Sequence, residues 1–178
     1  MRKLVRRVSK TGGFITREYK ESKVKESDPE TYGSLRITTL THWLGLSQAA
    51  SKLVISDFDV IKLGIIGITK SSINSLASYI GISKKYITEN IFDISVKTLE
   101  RKDNKTKLDK KTSSHAVEIA KVLQHGYEVF RDEEKLKHWL NRENKALNDF
   151  RPVELFDTLS GLSMVNDILG RIEEGVYS

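Results

Sequence analysis

The side chains best suited to specific chemistry in this 178-residue chain are cationic rather than catalytic. Ser95-Val96-Lys97-Thr98-Leu99-Glu100-Arg101-Lys102 sets an N-capping serine before a short amphipathic helix. On that helix Val96 and Leu99 are expected to turn inward, and Lys97, Thr98, Arg101 and Lys102 outward. An outward guanidinium matches the O6 and N7 acceptors that guanine presents in the major groove. Lys105 and Lys107 follow at positions suited to phosphate contacts, which add affinity without choosing a sequence. Upstream, Ser83 to Ile91 reads as a preceding helix and Phe92-Asp93-Ile94 as a break, so residues 83–102 have helix-turn-helix proportions. Any short basic amphipathic helix shares this pattern, and spacing alone leaves a DNA-reading helix and an ordinary solvated face both open.

Groups for catalysis are not arranged for it. His42, His115, His125 and His138 have no i, i+4 partner and no HExxH spacing, so no metal site is expected. Gly67-Ile68-Thr69-Lys70-Ser71-Ser72 shares the end of a phosphate-binding loop, but no glycine precedes the lysine directly and no strand precedes the segment. Glu133-Glu134 and Glu173-Glu174 are adjacent pairs whose side chains diverge on a helix, which suits solvated surface better than an acid and base dyad. The chain has no cysteine, which excludes disulfides, thiolate metal sites and a thiol nucleophile, and a reducing cytoplasm is the expected location. The expectation is a non-enzyme without a cofactor. The cationic start, Met1 to Phe14, lacks the apolar stretch of an export signal, and no run approaches the roughly 18 apolar residues of a membrane span. No membrane partner is expected.

The elements that must carry these residues read as helices. Two prolines and many good helix formers favour an all-α fold. Residues 1–34 are rich in Lys, Arg, Glu, Ser and Gly and read as a basic, loose arm, open either to phosphate contact or to plain solvation. Apolar spacing predicts a helix from Leu40 to Leu53, weakened by Gly45, and another opened by Ser56-Asp57 and closed near Gly67. Three short helices follow, opened by Ser71 or Ser72, by Ser83 and by Ser95, and the polar stretch Asp103 to Lys111 ends that regularity. Downstream, helices are predicted over Ser114 to Phe130, from Asp132 through Leu140, from Pro152, and over Ser160 to Glu174 with Gly175 as the stop. The organisation expected is an arm over 1–34, a helical DNA-binding domain over 35–112 and a small four-helix bundle over 113–178.

Charge divides along the same lines. Residues 84–111 hold 9 Lys and Arg against 5 Asp and Glu, whereas residues 112–178 hold 8 against 12. A cationic front and an acidic back suggest two surfaces with different partners, the front one polyanionic.

Five pieces occur in order in the last third: Val129-Phe130-Arg131-Asp132, Trp139 through Leu147, Pro152-Val153-Glu154-Leu155, Thr158 to Gly161, and Gly170 through Ser178. Together they resemble the toxin-binding domain of Xre/MbcA/ParS antitoxins, in which a Gly-Val-Tyr-Ser end is characteristic. Ile94 to Arg101 is similar to that family's helix-turn-helix segment, so the resemblance spans residues 57–178. One feature departs: two glycines common after the Asn-x-Ala-Leu piece are Asn148 and Asp149 here. The resemblance implies an antitoxin that pairs with a RES-domain toxin, an enzyme that destroys NAD, and that represses its own operon by binding operator DNA. It also points to Arg171, Gly175, Val176, Tyr177 and Ser178 as the end that lies near the toxin's active-site entrance, with Trp139 either an interface anchor or core. Arg171 is equally placed to complement the helix dipole. Because helix-turn-helix repressors usually read paired half-sites, a homodimer inside a hetero-oligomeric toxin-antitoxin complex is expected. The alternative is a stand-alone transcriptional regulator whose C-terminal bundle only dimerises.

Overall fold

The computed structural model describes residues 7–8, 14–15, 40–52, 54 and 56–176. Contacts divide the chain into Met1–Tyr32 and Gly33–Ser178. In the first unit, β1 (Arg7–Val8) pairs antiparallel with β2 (Phe14–Ile15) in the register Arg7 to Ile15 and Val8 to Phe14, and the rest of the segment read as a loose arm lies outside the described residues.

The second unit is all-α. The predicted helix from Leu40 to Leu53 forms instead as two pieces, a turn over residues 40–43 and α1 (Gln48–Ser51). Gly45 separates them at φ +59, and a side chain there would run into Ser75. Next come α2 (Asp57–Ile66), capped by the Ser56 hydroxyl, and α3 (Lys70–Ile80), closed by Gly81 in the left-handed region. The start of α3 corrects the sequence reading: Thr69, not Ser71 or Ser72, is the cap residue. Thr69 pairs with Lys107 in an isolated bridge, a long-range contact that fixes it in extended backbone.

The helix-turn-helix segment contains α4 (Lys84–Tyr86), a π-helical stretch over Ile87–Ile91, and α5 (Val96–Arg101). The long helix α6 (Lys110–Phe130) begins one turn before the predicted Ser114, because the Asp109 carboxylate accepts from the Thr112 N–H and hydroxyl. Then follow α7 (Glu133–Leu140), 3-10 turns at Lys145–Leu147 and Pro152–Leu155, and α8 (Leu159–Glu173). Pro152 does occupy the first helical position, but the segment it opens is a single 3-10 turn rather than an α-helix.

Helix α6 is the spine. It packs against α2, α7 and α8, and its buried positions Ala116, Val117, Ile119, Ala120, Val122 and Leu123 form a wide arc because neighbours cover it on several sides. Gly64 allows the closest approach of α2, since a methyl there would lie 2.7 Å from Ser114 Oγ. One continuous apolar core runs from Leu40 through Ile80, Leu99 and Leu123 to Phe156 and Leu169. Among the described residues no helix is long and apolar enough to cross a membrane.

Candidate nucleic-acid and partner interfaces

The predicted reading helix is built from short-range hydrogen bonds. Ser83 Oγ accepts from the Tyr86 N–H at 3.0 Å, and Ser95 Oγ accepts from the Thr98 N–H at 3.2 Å, so each short helix carries its own cap. Between them the Thr88 hydroxyl bonds back to the Lys84 carbonyl at 2.8 Å, and the helix widens so that the Phe92 N–H reaches the Ile87 carbonyl. The turn is completed by Asp93 at φ +53 and by the Ile94 N–H donating to the Thr88 carbonyl. Asp tolerates this left-handed conformation better than most residues.

On α5, Leu99 is buried and Val96 half-buried, while Lys97, Thr98 and Arg101 are exposed. Lys105 and Lys107 are also exposed on the following loop. Lys102 differs from the outward reading: it lies past the helix end in extended backbone and is half-buried. The Ser95 and Thr98 hydroxyls lie 2.8 Å apart and bond to each other. Lys70, which sequence reading set aside with the phosphate-loop fragment, has a structural task. Its ammonium donates to the carbonyls of Glu100 at 3.2 Å and Lys102 at 2.6 Å, satisfying the C-terminal end of α5. Lys84 pairs with Glu100 at 3.1 Å, so Arg101 rather than Glu100 is the charge left facing outward without a described partner at that turn.

The C-terminal helices present a different surface. Trp139 is half-buried with its ring 5.6 Å from Phe130, so it is part core and part surface. Arg171 is exposed in the last turn of α8. That helix ends with Gly175 at φ +72, the Gly175 N–H bonded to the Ile172 carbonyl and the Val176 N–H to the Arg171 carbonyl, a Schellman closure. Val176 is exposed beyond it, and Tyr177 and Ser178 lie outside the described residues. Asn148 and Asp149 adopt φ +60 and +64, a left-handed turn made by residues that tolerate it. Phe150, on the loop between the two 3-10 turns, is exposed as well, and so are Leu159 and Met164 on α8, outside the buried set Leu162, Val165, Ile168 and Leu169. Leu159 also lines an open groove of about 760 Å³ between α6 and α8, together with His115, Glu118, Val122, Asp157 and Leu162.

His115 joins the two regions. Its Nε2–H donates to the Phe156 carbonyl at 2.7 Å, and its ring meets Phe92 of the helix-turn-helix break edge-on at 5.3 Å. Burial holds its pKa below the usual histidine value, against smaller upward effects of the Phe156 carbonyl and Asp157. On the other side of the same junction, burial and then the nearby Glu154 carboxylate push the Tyr86 phenol up. Glu154 itself accepts from the Arg151 N–H and guanidinium, each at 2.8 Å, which holds its carboxyl below the ordinary range. His125, also on α6, faces Asn166 at 2.7 Å and Glu173 at 3.4 Å on α8. Among the described residues, no three His, Asp or Glu side chains gather where they would hold a metal ion.

This chain is 29% identical over 90 residues to the antitoxin Xre of Photorhabdus laumondii subsp. laumondii, a stretch covering 49% of this chain and 61% of that relative. The match thus spans less than two thirds of the relative's length. Residues 125–175 match the family model described as the antitoxin Xre/MbcA/ParS C-terminal toxin-binding domain. Those residues run from the end of α6 through α7, both 3-10 turns and α8, the segment that exposes Phe150, Leu159 and Met164. By that match, residues 125–175 are similar to the toxin-binding domain of Xre/MbcA/ParS antitoxins.

Proposed function

We propose that this chain is the antitoxin of a type II toxin-antitoxin pair, binding and neutralising a RES-domain toxin that degrades NAD. The toxin sits on the surface that carries Phe150, Leu159, Met164, Trp139 and the end of α8 from Arg171 through Gly175 and Val176, with Tyr177 and Ser178 reaching the toxin's active-site entrance. Exposed apolar side chains gathered on one domain are the kind of surface that a protein partner covers. The helix-turn-helix represses the operon by binding operator DNA, Arg101 and Lys97 reading base edges beside Ser95 and Thr98, and Lys102, Lys105 and Lys107 holding phosphates. The chain acts as a homodimer within a hetero-oligomeric complex in the cytoplasm, with residues 35–112 serving DNA and residues 113–178 the toxin. The match of residues 125–175 to a toxin-binding domain carries this reading.

Expression of the neighbouring reading frame with and without this chain tests it, with cellular NAD and growth followed together. Collapse of NAD without the chain and recovery with it supports the reading. Loss of growth that the chain fails to relieve, or the absence of any NAD loss, contradicts it.

A further inference from the structure

Lys70 opens α3 at the end of a helix where a cation is least favoured. The peptide dipoles leave partial positive charge at a helix N-terminus, so a carboxylate suits the first turn better. Here that turn holds no acidic residue, and Thr69 before it makes no side-chain cap bond. What Lys70 gains instead lies 30 positions along the chain: its ammonium donates to the Glu100 carbonyl at 3.2 Å and to the Lys102 carbonyl at 2.6 Å. Both carbonyls stand at the C-terminal end of α5, a helix of 6 residues that is too short to be stable alone and whose last carbonyls need partners from outside it.

The geometry points to Lys70 as a positioning residue for operator reading, acting through Arg101. This rests on the reading of Arg101 as a base contact proposed above and names what aims it. Glu100 and Lys102 stand on either side of Arg101, so one ammonium holds the backbone both before and after the arginine. The backbone alone closes this end weakly: the Lys102 N–H reaches the Leu99 carbonyl only at 3.3 Å, and Lys102 has already left the helix at ψ 137. A slip of one residue at a helix end turns a side chain by about 100°, enough to carry Arg101 off the outward face.

The two residues before Lys70 fasten the rest of the basic segment. The Leu108 N–H donates to the Ile68 carbonyl at 2.8 Å and Thr69 bridges Lys107, while the Ile68 N–H donates to Ser113 Oγ of α6 at 3.1 Å. Ile68-Thr69-Lys70 therefore grips both ends of the stretch from Glu100 to Leu108, which carries Arg101, Lys102, Lys105 and Lys107. Between the two grips Asp103 turns the chain, its carboxylate accepting from the Lys105 N–H at 2.8 Å. The grip at Lys107 and Leu108 is made by backbone atoms, and only the grip beside Arg101 depends on a side chain. A change at residue 70 thus releases the base-reading arginine and leaves Lys105 and Lys107 where they hold phosphates.

Anisotropy titrations of the full chain test this with two labelled duplexes, the DNA immediately upstream of this chain's reading frame and a shuffled duplex of the same composition. Lys70→Met removes the donors and is expected to lower the preference for the upstream duplex about tenfold, the scale of one misread base pair. Affinity for the shuffled duplex, the salt slope and helical circular dichroism are expected to stay unchanged. Lys70→Arg, which can still donate to both carbonyls, is expected to keep the preference, and Lys70→Met is expected to cost nothing further in an Arg101→Ala background. An unchanged preference in Lys70→Met overturns the proposal. A loss on both duplexes with a shallower salt slope does the same, because it sets Lys70 itself on a phosphate, and so does a full further loss in the Arg101→Ala background. A wild-type chain that binds both duplexes equally, or neither, overturns base reading by Arg101 and this role together. Should Lys70→Met lose helicity, Lys70→Gln, which keeps one neutral donor group, is judged by the same criteria.

Discussion

Two regions of this chain share one core and leave opposite kinds of surface uncovered. Residues 83–102 are fixed by serine caps and by Lys70 at the far end of α5, and their outward face is polar: Lys97, Thr98 and Arg101. Residues 131–176 are shaped by backbone geometry, with left-handed Arg131, Asn148, Asp149 and Gly175, and their outward face keeps Phe150, Leu159, Met164 and Val176. A cationic polar face is well hydrated when empty and gains by releasing counterions onto a polyanion. An apolar face is costly in water and gains by being covered. The difference suits the two surfaces to partners of different chemistry, as proposed above, although His115 and the packing on α6 tie them into one folded unit.

That contrast is sharpened by variants that strike what the regions share and what they do not. The largest effect is expected for Phe156→Ala, which empties a fully buried ring site next to the His115 hydrogen bond. It should cost about 3 to 5 kcal/mol of stability in a urea titration and abolish DNA and toxin binding together. Survival of one activity would mean that the regions fold independently. Arg101→Ala should weaken specific operator binding by about 1 to 3 kcal/mol in an anisotropy titration, leaving the unfolding midpoint and toxin capture unchanged. Asp109→Ala, at the start of the shared helix, should lower stability by about 1 kcal/mol through loss of its bonds to Thr112.

The smallest effect is in the pH dependence. The His115 pKa is depressed by burial, so the unfolded chain takes up its proton more readily than the folded one. Its contribution to stability is complete above the unfolded value of about 6.5 and is lost as pH falls through that value toward the folded one. Denaturant midpoints measured from pH 7.5 downward should therefore decline more steeply for the native chain than for His115→Gln.

The features legible from sequence were those with local causes. Ser56, Ser83, Ser95, Asp132 and Gly81 were recognisable as starts and stops because a cap or a left-handed glycine depends on residues within a turn of it. The start of α3 was misread because Thr69 is held by Lys107, 38 positions along the chain, and neither residue advertises the pairing. The first turn of α6 was missed because Thr112 and Ser113 are buried polar residues that carry no apolar rhythm. The Ser113 hydroxyl is occupied by the Ile68 N–H and the Leu108 carbonyl instead. At the candidate interfaces, the exposure of Arg101 and Lys97 follows from helical spacing, whereas nothing in their residue type separates exposed Leu159, Met164 and Phe150 from core residues. The half-burial of Lys102 reflects where α5 ends, one residue earlier than its charge pattern implied.

The separation of the two surfaces is tested most directly by calorimetric titration of purified toxin into the full chain, the Leu159→Glu variant and the Arg101→Ala variant. The predicted result is binding by the full chain and by Arg101→Ala, and loss of binding by Leu159→Glu with its unfolding midpoint intact. Equal toxin affinity of Leu159→Glu and the native chain would contradict it, as would no heat of binding from the native chain.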